Sequence, residues 1–238
     1  VGGKARKIAP GLASDLFLYT RGGRVVASLF PIFVSLENKR CLVVGGGKVA
    51  ERKVENLLEY PVQIDLVSPQ ATPKLQNWAA EGKVNWIARN FQLTDIQDAF
   101  LVFAATDDLQ INREIARLCQ KEGILVNAVD DPAYCDFFVP SIIRRNSLVL
   151  AISTEGKSPA YAKRLRRQME EIITDAHGKF VDLLGEQREI VKETVPDIRI
   201  RQAIFEAMAG LDILDLITAG RDEEIKERFK ECMSLWQE

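Results

Sequence analysis

The stretch CLVVGGGKVAERK, Cys41 to Lys53, changes from a strand pattern to a helix pattern across three consecutive glycines. Its first half is a short apolar run that ends in glycine, which is typical of a buried parallel strand. Its second half is charged and has apolar residues at helical spacing. Gly45, Gly47 and Ala50 fit the pattern G-x-G-x-x-A at the junction. The stretch therefore predicts a strand, a tight turn and a helix in that order.

This order of elements favours a dinucleotide-binding turn. Gly45 allows the tight turn, Gly47 lets the backbone approach a pyrophosphate, and Ala50 lets the helix and the strand pack closely. The pyrophosphate would accept hydrogen bonds from free N–H groups at the start of the helix. The alternative is an ordinary tight turn in an α/β domain that has lost its ligand. We predict cofactor contacts at Gly45, Gly46, Gly47, Lys48 and Val49.

The end of the second strand bears on the choice between NAD and NADP. An acidic residue that binds the ribose is expected about 20 residues after the glycines, and Asp65 lies at that distance in VQIDLVSP. Asp65 is in the middle of the predicted strand, however, and no arginine at the strand tip could meet a 2′-phosphate. We predict NAD as the cofactor, with contacts at Ser68, Pro69 and Gln70.

Strand and helix patterns keep alternating beyond this point. The segments VNWIARN, AFLVFAAT and ILVNAVDDP have strand patterns, and a helical pattern lies between the last two. This order predicts an α/β domain with a Rossmann-like, doubly wound parallel sheet over residues 30–140. Residues 1–29 show no helical or strand period. We expect a disordered leader there, or a chain start that was placed too early.

Composition narrows the function classes. Of 238 residues, 47% are apolar and 28% charged, and the net charge is −2. We therefore expect no nucleic-acid partner and no membrane partner. Four scattered cysteines without a C-x-x-C pair argue against a disulfide framework and a zinc site, and they favour a cytoplasmic protein. The one histidine, His177, rules out a multi-histidine metal site within one chain, and we predict no bound metal.

The pattern changes after residue 140. SLVLAIST predicts a further strand, and Ser158 followed by Pro159 is typical of a helix start. Apolar stripes at helical spacing then continue to the end of the chain. Residues 176–238 therefore predict a small α-helical C-terminal domain.

Several polar residues follow predicted strands and would lie at the carboxyl edge of the sheet. Asp130 ends the strand ILVNAV, where doubly wound folds bind ligands, but it could equally form the turn with Asp131. Asp108 could cap the next helix. Asn127 is a polar residue within a strand, and a structural role and a place in a substrate cleft are equally compatible with it.

Four blocks of the sequence together resemble one known family. These are FPIFVSLENKRCLVVGGGKVAERK, FAATDDLQINREI, VNAVDDPAYCDFFVPSII and ISTEGKSPAYAKRLR. In this order and at these spacings, from Phe30 to Ile173, they are similar to precorrin-2 dehydrogenase, the dehydrogenase and ferrochelatase module of siroheme synthase.

The resemblance implies a function and an assembly. Family members use NAD to oxidise precorrin-2 to sirohydrochlorin, and some also insert Fe(II) to give siroheme. They are homodimers, which implies a dimerisation segment over residues 141–175, ahead of the helical domain. Whether this chain inserts iron is left open by its residues.

The resemblance also implies site residues. The essential aspartate of the family falls on Asp130, whose carboxylate can accept the proton that is released when a hydride is removed. Ala105 and Thr106 fall beside the cofactor, and Thr154 falls where the family has a hydroxyl residue near the tetrapyrrole. Basic residues could pair with the carboxylate arms of the substrate. We predict substrate contacts at Asn127, Thr154, Lys163 and Arg164.

A different class of function remains open at this point. The chain could be an NAD-sensing Rossmann module that regulates a partner without catalysis. The glycine turn would serve both classes, whereas the blocks around Asp130 and Thr154 favour the enzyme.

Overall fold

The computed structural model describes residues 19–21, 24–26 and 29–234. Near its start the backbones of β1 (Tyr19–Arg21) and β2 (Arg24–Val26) pair antiparallel. The sequence analysis did not predict these two strands, and the expectation for residues 1–29 stays a prediction. The other residues of the expected leader, up to residue 28, lie outside the described residues.

A parallel sheet forms the centre of the first part of the chain. Its strands are β3 (Arg40–Val44), β4 (Gln63–Val67), β5 (Asn85–Ile87), β6 (Leu101–Ala104) and β7 (Leu125–Ala128). Their order in the sheet is β5-β4-β3-β6-β7, and every pair is parallel. The order reverses between β3 and β6, which makes the carboxyl ends of these two strands a topological switch point. The predicted Rossmann-like fold is confirmed.

Helices cover both faces of the sheet, namely α1 (Lys48–Leu57), α2 (Pro73–Ala80) and α3 (Leu109–Glu122). Alternate residues of β3 point to opposite faces, as the pleat of a strand requires. Cys41 and Val43 belong to the core shared with α1 and α2, whereas Leu42 and Val44 belong to the core shared with α3. All four are essentially inaccessible to solvent, and each stabilises the fold by about 1 to 3 kcal/mol.

The second part of the chain starts with the antiparallel pair β8 (Ser141–Arg145) and β9 (Leu148–Ile152). Helices follow as α4 (Pro159–Ile172), α5 (Asp175–Thr194), α6 (Ile198–Ala209), α7 (Leu214–Thr218) and α8 (Asp222–Ser234). Ser158 accepts a hydrogen bond from the Tyr161 N–H and caps α4, as predicted. The sequence did not predict β8 or the short helix α7.

The chain divides into two compact units, residues 1–139 and 140–238. Within the described ranges, all four cysteines are free thiols, and three of them lie buried in the cores. No helix in the described part of the chain has the length and apolar character needed to cross a membrane.

Candidate functional site

The first two glycines of the turn after β3 are required by the protein itself. Gly45 has a φ of +118°, and a Cβ at this position would lie 2.3 Å from the carbonyl oxygen of Ala105. A Cβ at Gly46 would lie 1.8 Å from the carbonyl oxygen of Gln70. The turn is therefore wedged between the segments that follow β6 and β4, and both contacts exclude any side chain.

The third glycine has no such reason within the protein. Gly47 has an ordinary φ of −83°, and a Cβ there would meet nothing within 4 Å. Gly47 is also the N-cap of α1, and no side chain caps this helix. The first N–H groups of an α-helix have no partner inside the helix, so they are available to an anion. Open space in front of an uncapped helix start fits the pyrophosphate of a dinucleotide.

The next two predicted contacts lie in the first turn of α1. The side chain of Lys48 is 79% exposed, and its ammonium lies 3.1 Å from a carboxylate oxygen of Glu51. Val49 is half-buried and packs on the core beneath α1. The hydrogen bonds from Thr72 and Lys48 hold the pKa of Glu51 below its usual range. Lys48 is therefore the residue of this turn that presents a positive charge to solvent.

The tip of β4 carries no free carboxylate, in agreement with the sequence. Asp65 is buried in the strand, where it accepts hydrogen bonds from Arg40 Nε at 2.7 Å and Asn85 Nδ2 at 3.0 Å. Its charge serves the sheet and is not available to a ribose. The predicted contacts beyond the tip differ in exposure, because Ser68 is buried, whereas Pro69 and Gln70 are exposed.

The segment after β6 lies directly against the glycine turn. The Ala105 N–H donates to the carbonyl oxygen of Val44 at 2.8 Å. The backbone N–H and the hydroxyl of Thr106 both donate to Asn112 Oδ1, at 3.1 Å and 2.7 Å. Asn112 is 1% exposed, and its role was missed by the sequence analysis. A polar residue at a buried position of the α3 stripe was the signal that could have revealed it.

Asp108 has the structural role that the sequence allowed. Its carboxylate accepts hydrogen bonds from the N–H groups of Gln110 and Ile111, so it is the N-cap of α3. Thr106 and Asp108 also contact each other, because the Thr106 hydroxyl lies 3.1 Å from the Asp108 carbonyl oxygen. The loop after β6 is thus fixed at both ends by α3.

The turn after β7 presents Asp130 in an unusual conformation. Asp130 has a φ of +60° and is exposed, and the preceding Val129 N–H donates to the Ala104 carbonyl oxygen at 2.9 Å. A left-handed conformation outside glycine costs on the order of 1 kcal/mol and persists where the surroundings enforce it. Asp130 therefore lies at the carboxyl edge of β7, next to the strand that precedes Ala105.

Side chains from three directions enforce this conformation. Asp131 forms an ion pair with Arg113 of α3 at 2.6 Å, and this bond raises the pKa of Arg113. The Cys135 thiol donates to the Ala128 carbonyl oxygen at 3.1 Å, and burial raises the pKa of this thiol to about 11. Asn127 Nδ2 donates to the Phe137 carbonyl oxygen at 2.9 Å. The turn is held rigidly while the Asp130 side chain stays exposed.

Asn127 is therefore already engaged within the protein. It is 7% exposed, and its amide also lies 3.6 Å from the Cys135 sulfur. These contacts give Asn127 the structural role, which is one of the two alternatives that the sequence left open. Its contact with substrate stays a prediction.

One further residue near Asp130 was missed by the sequence analysis. The ammonium of Lys53, on α1, lies 5.1 Å from the centroid of the Phe103 ring. Burial lowers the pKa of Lys53, and its interactions with Cys135 and Asp130 oppose this effect. Lys53 follows Ala50 by three residues and so borders the buried stripe of α1. A lysine at the margin of an apolar stripe was the available signal.

The remaining predicted residues lie in the second compact unit. The Thr154 hydroxyl accepts a hydrogen bond from the Ser158 N–H at 3.1 Å, which fixes the start of α4. Lys163 and Arg164 are exposed on α4. The predicted site residues thus form one group at the carboxyl edge of the sheet in the first unit and another around the start of α4 in the second. Within the described ranges, no group of three or more histidine, cysteine or acidic residues could hold a metal ion.

Three family models match consecutive parts of the chain. An NAD(P)-binding model covers residues 32–141. A model described as sirohaem biosynthesis protein central covers residues 145–172, and one described as sirohaem synthase dimerisation region covers residues 176–233. The first model contains the glycine turn and the Asp130 turn, so the two features belong to an NAD(P)-binding domain.

Relatives match over most of the chain. The siroheme synthase of Nitrosococcus oceani is 37% identical over 194 residues, which are 82% of this chain and 42% of the relative. The siroheme synthase of Thioalkalivibrio sulfidiphilus is 36% identical over 204 residues, which are 86% of this chain and 42% of the relative. The chain therefore spans about two fifths of the length of these curated relatives.

A solved structure has the same fold. SirC, named as a precorrin-2 dehydrogenase, matches with a TM-score of 0.70 and 22% sequence identity, over 85% of this chain and 100% of SirC. At this identity the match concerns the fold. Two of the three family models are named for sirohaem synthesis, and the relatives that match more than four fifths of the chain share that name. The chain belongs to the siroheme synthase family.

Proposed function

We propose that this chain oxidises precorrin-2 to sirohydrochlorin with NAD as the hydride acceptor. The observation that carries the proposal is the adjacency of two features at one sheet edge. The open, uncapped start of α1 at Gly47 follows β3, and the rigidly held Asp130 follows β7, with Ala105 between them. One feature fits a dinucleotide, and the other offers a proton acceptor.

The chemistry assigns separate roles to the two turns. Bound NAD would supply the site that accepts a hydride from the tetrapyrrole. Oxidation of a carbon–nitrogen ring system by hydride removal also releases a proton, and the exposed carboxylate of Asp130 can accept it. The N–H groups at the start of α1 would hold the pyrophosphate, and Thr106 would fix the loop beside the cofactor. Because the Asp130 turn is braced, its carboxylate needs little reorganisation before the reaction.

NAD fits the tip of β4 better than NADP. A 2′-phosphate requires a cation, and the tip consists of Ser68, Pro69 and Gln70. Comparing the KM values for the two cofactors tests this part of the proposal, and a lower value for NADP would contradict it.

The assay of the function uses the whole chain with precorrin-2 under anaerobic conditions. We expect NADH and sirohydrochlorin to form in equal amounts. The absorbance band of each product measures its amount. A protein that binds NAD but neither binds nor oxidises precorrin-2 would contradict the proposal and favour the sensing module without catalysis. A protein that binds neither would exclude both functions.

Iron insertion is a separate extension of this proposal. The relatives are named for siroheme, the metallated product, which is the observation that favours it. Fe(II) would then be a substrate and not a resident metal. Sirohydrochlorin and Fe(II) mixed with the protein should give siroheme faster than the same mixture without protein. An unchanged rate would limit the chain to the oxidation.

We also propose a homodimer located in the cytoplasm. The match to a dimerisation region at residues 176–233 supports the dimer.

We retain the domains 30–140, 141–175 and 176–238, and we propose that dimer contacts in 141–175 extend into the later helices. The compact units divide after residue 139, and the family models separate at 141–145 and 172–176, which supports these boundaries. Light scattering of the full chain tests the dimer, and a monomeric mass would contradict it.

A further inference from the structure

Lys53 lies where a charged residue is not needed for the fold. Its neighbours Ala50, Val54 and Leu57 form the buried stripe of α1, and Lys53 is half-buried at the margin of this stripe. Its ammonium lies 5.1 Å from the centroid of the buried Phe103 ring. A lysine stem can cover an apolar surface while its ammonium extends towards the start of the helix. Because Phe103 is the next-to-last residue of β6, the ammonium lies near the carboxyl edge of the sheet.

Lys53 differs in its charge environment from three other lysines of the same unit. Lys48, Lys74 and Lys83 each form an ion pair with a glutamate. Lys53 forms no ion pair with a carboxylate among the residues that the structure describes. A partly desolvated cation without a counter-charge is unfavourable, and such positions are typically completed by a ligand or a partner.

The surroundings of Lys53 lie at the same strand ends as the candidate proton acceptor. Burial is the largest cause that lowers the pKa of Lys53, and the neighbouring charge of Arg52 lowers it further. Interactions with Cys135 and Asp130 raise this pKa. The Cys135 thiol, with its pKa raised to about 11, is protonated near neutral pH. Phe103 of β6 is the register partner of Asn127 of β7, and the Val129 N–H donates to the Ala104 carbonyl oxygen, so the Lys53 ammonium over the Phe103 ring lies beside the strand end that carries Asp130.

We infer that the Lys53 ammonium binds a carboxylate arm of the tetrapyrrole substrate beside Asp130. This inference rests on the proposed function and deepens it. A carboxylate arm supplies the missing counter-charge and can accept charge-assisted hydrogen bonds from the ammonium. Lys53 and Asp130 come from neighbouring elements that are each fixed, α1 and the braced turn after β7. An arm held by Lys53 therefore determines which edge of the macrocycle faces Asp130.

The experiment compares three variants with the wild type. Lys53→Met removes the charge and keeps the stem over Phe103, and Lys53→Arg keeps a cation. Lys39→Met is the matched control, because the Lys39 ammonium also lies over a phenylalanine ring, 5.3 Å from the Phe100 centroid, but precedes β3 at the opposite edge of the sheet. Sirohydrochlorin is titrated into each protein without NAD at several salt concentrations, and NAD is titrated separately.

The inference predicts a defined pattern. Lys53→Met should bind sirohydrochlorin about tenfold more weakly and with a smaller salt dependence, as expected for one lost charge-assisted contact. Lys53→Arg should bind within about threefold of the wild type, and Lys39→Met should match the wild type. NAD affinity should be the same in all four proteins. In turnover, Lys53→Met should raise the KM for precorrin-2 more than it lowers kcat.

Two results would overturn the inference, and they have different meanings. If Lys53→Met binds sirohydrochlorin as the wild type does, Lys53 is not an arm-binding residue, while the proposed function stands. If the wild type binds NAD but no tetrapyrrole, the proposed function fails and this inference fails with it. A fall in melting temperature of Lys53→Met with unchanged sirohydrochlorin affinity would assign Lys53 a purely structural role.

Discussion

The glycine turn after β3 and the aspartate turn after β7 lie at the same sheet edge but are shaped by different forces. Backbone contacts shape the glycine turn, since Gly45 and Gly46 leave no room for a Cβ beside Ala105 and Gln70. Side-chain contacts shape the aspartate turn, above all those of Arg113 from α3 and of Cys135 from the turn itself. The glycine turn is thus defined by the absence of side chains beneath neighbouring backbone, whereas the aspartate turn is positioned by side-chain contacts.

The largest expected effect comes from the aspartate turn. Asp130→Asn removes the proton acceptor and keeps a residue that tolerates positive φ. We predict that kcat for precorrin-2 oxidation falls about a thousandfold, because a general base is lost, while NAD affinity is unchanged. The steady-state rate of NADH formation measures this.

The matched control for this variant is Asp98→Asn. Asp98 is also an exposed aspartate, with a φ of +59°, and it lies in the segment before β6. It should retain the activity of the wild type. A similar loss of activity in both variants would mean that positive-φ aspartates matter through the fold and not through chemistry at Asp130.

The glycine turn gives the next effect, and its last two glycines should behave differently. Gly46→Ala places a Cβ 1.8 Å from the Gln70 carbonyl oxygen, so the backbone must shift. We predict a loss of about 3 kcal/mol in the free energy of unfolding, within the range for overpacking. Gly47→Ala should cost about 1 kcal/mol or less, because its Cβ meets no atom of the protein and only the poorer N-cap preference of alanine opposes it.

The affinity of Gly47→Ala for NAD is the second half of this prediction. A methyl group in the open space before α1 would obstruct the pyrophosphate, and we expect NAD to bind about tenfold more weakly. Urea unfolding and calorimetric titration measure the two quantities. Unchanged NAD affinity in a stable Gly47→Ala protein would remove the open helix start from the cofactor site.

An ion pair between β5 and β6 tests whether the loss of NAD affinity is specific to changes at the carboxyl edge of the sheet. Arg89 donates to both carboxylate oxygens of Asp95, at 2.8 Å and 2.6 Å, and holds the pKa of Asp95 below its usual range. Asp95 is 7% exposed. Asp95→Asn should lower the free energy of unfolding at neutral pH by about 2 kcal/mol, with unchanged NAD affinity.

The pH dependence of this effect has a definite sign. Because the pKa of Asp95 is lower in the folded than in the unfolded protein, its stabilisation is full above the unfolded pKa and is lost as the pH falls through the folded pKa. The stability difference between wild type and Asp95→Asn should therefore shrink below about pH 4. Urea unfolding at several pH values checks this, and a difference that widens in acid would contradict it.

The smallest effect concerns the brace of the aspartate turn. Arg113→Gln removes the ion pair with Asp131. The Arg113 side chain is 45% exposed in this pair. The loss in unfolding free energy should be about 1 kcal/mol or less. We expect kcat to fall about threefold to tenfold with little change in the KM for NAD, because Asp130 loses part of its fixed orientation. An unchanged kcat would mean that Cys135 and Asn127 alone hold the turn.

The sequence predicted the sheet and the glycine turn because both depend on local patterns. The apolar run Cys41–Val44 and the glycine spacing are visible within a dozen residues. The capping roles of Ser158 and Asp108 were visible for the same reason, since a cap acts on the next three residues. The mid-strand position of Asp65 also followed from strand length.

The sequence could not predict contacts that depend on the folded arrangement of distant segments. Lys53 is a site-shaping residue because α1 packs beside Phe103, fifty residues later in the sequence. Asn112 contacts Thr106 only six residues before it, and this contact depends on the conformation of the loop that joins them. The strand β8 was missed because, among the described residues, it pairs with β9 alone and alternates weakly in burial. Asp130 was identified through a family resemblance, and its strained conformation could not be read from the residues around it.

The separate roles of the two turns are tested most directly by measuring NAD affinity and turnover at saturating NAD on both Gly47→Ala and Asp130→Asn. The account predicts a crossed result. Gly47→Ala should bind NAD more weakly and keep most of its turnover at saturation, whereas Asp130→Asn should bind NAD normally and lose turnover. If both variants lost affinity and turnover together, or if Asp130→Asn kept its turnover, the assignment of cofactor binding to one turn and proton acceptance to the other would be contradicted.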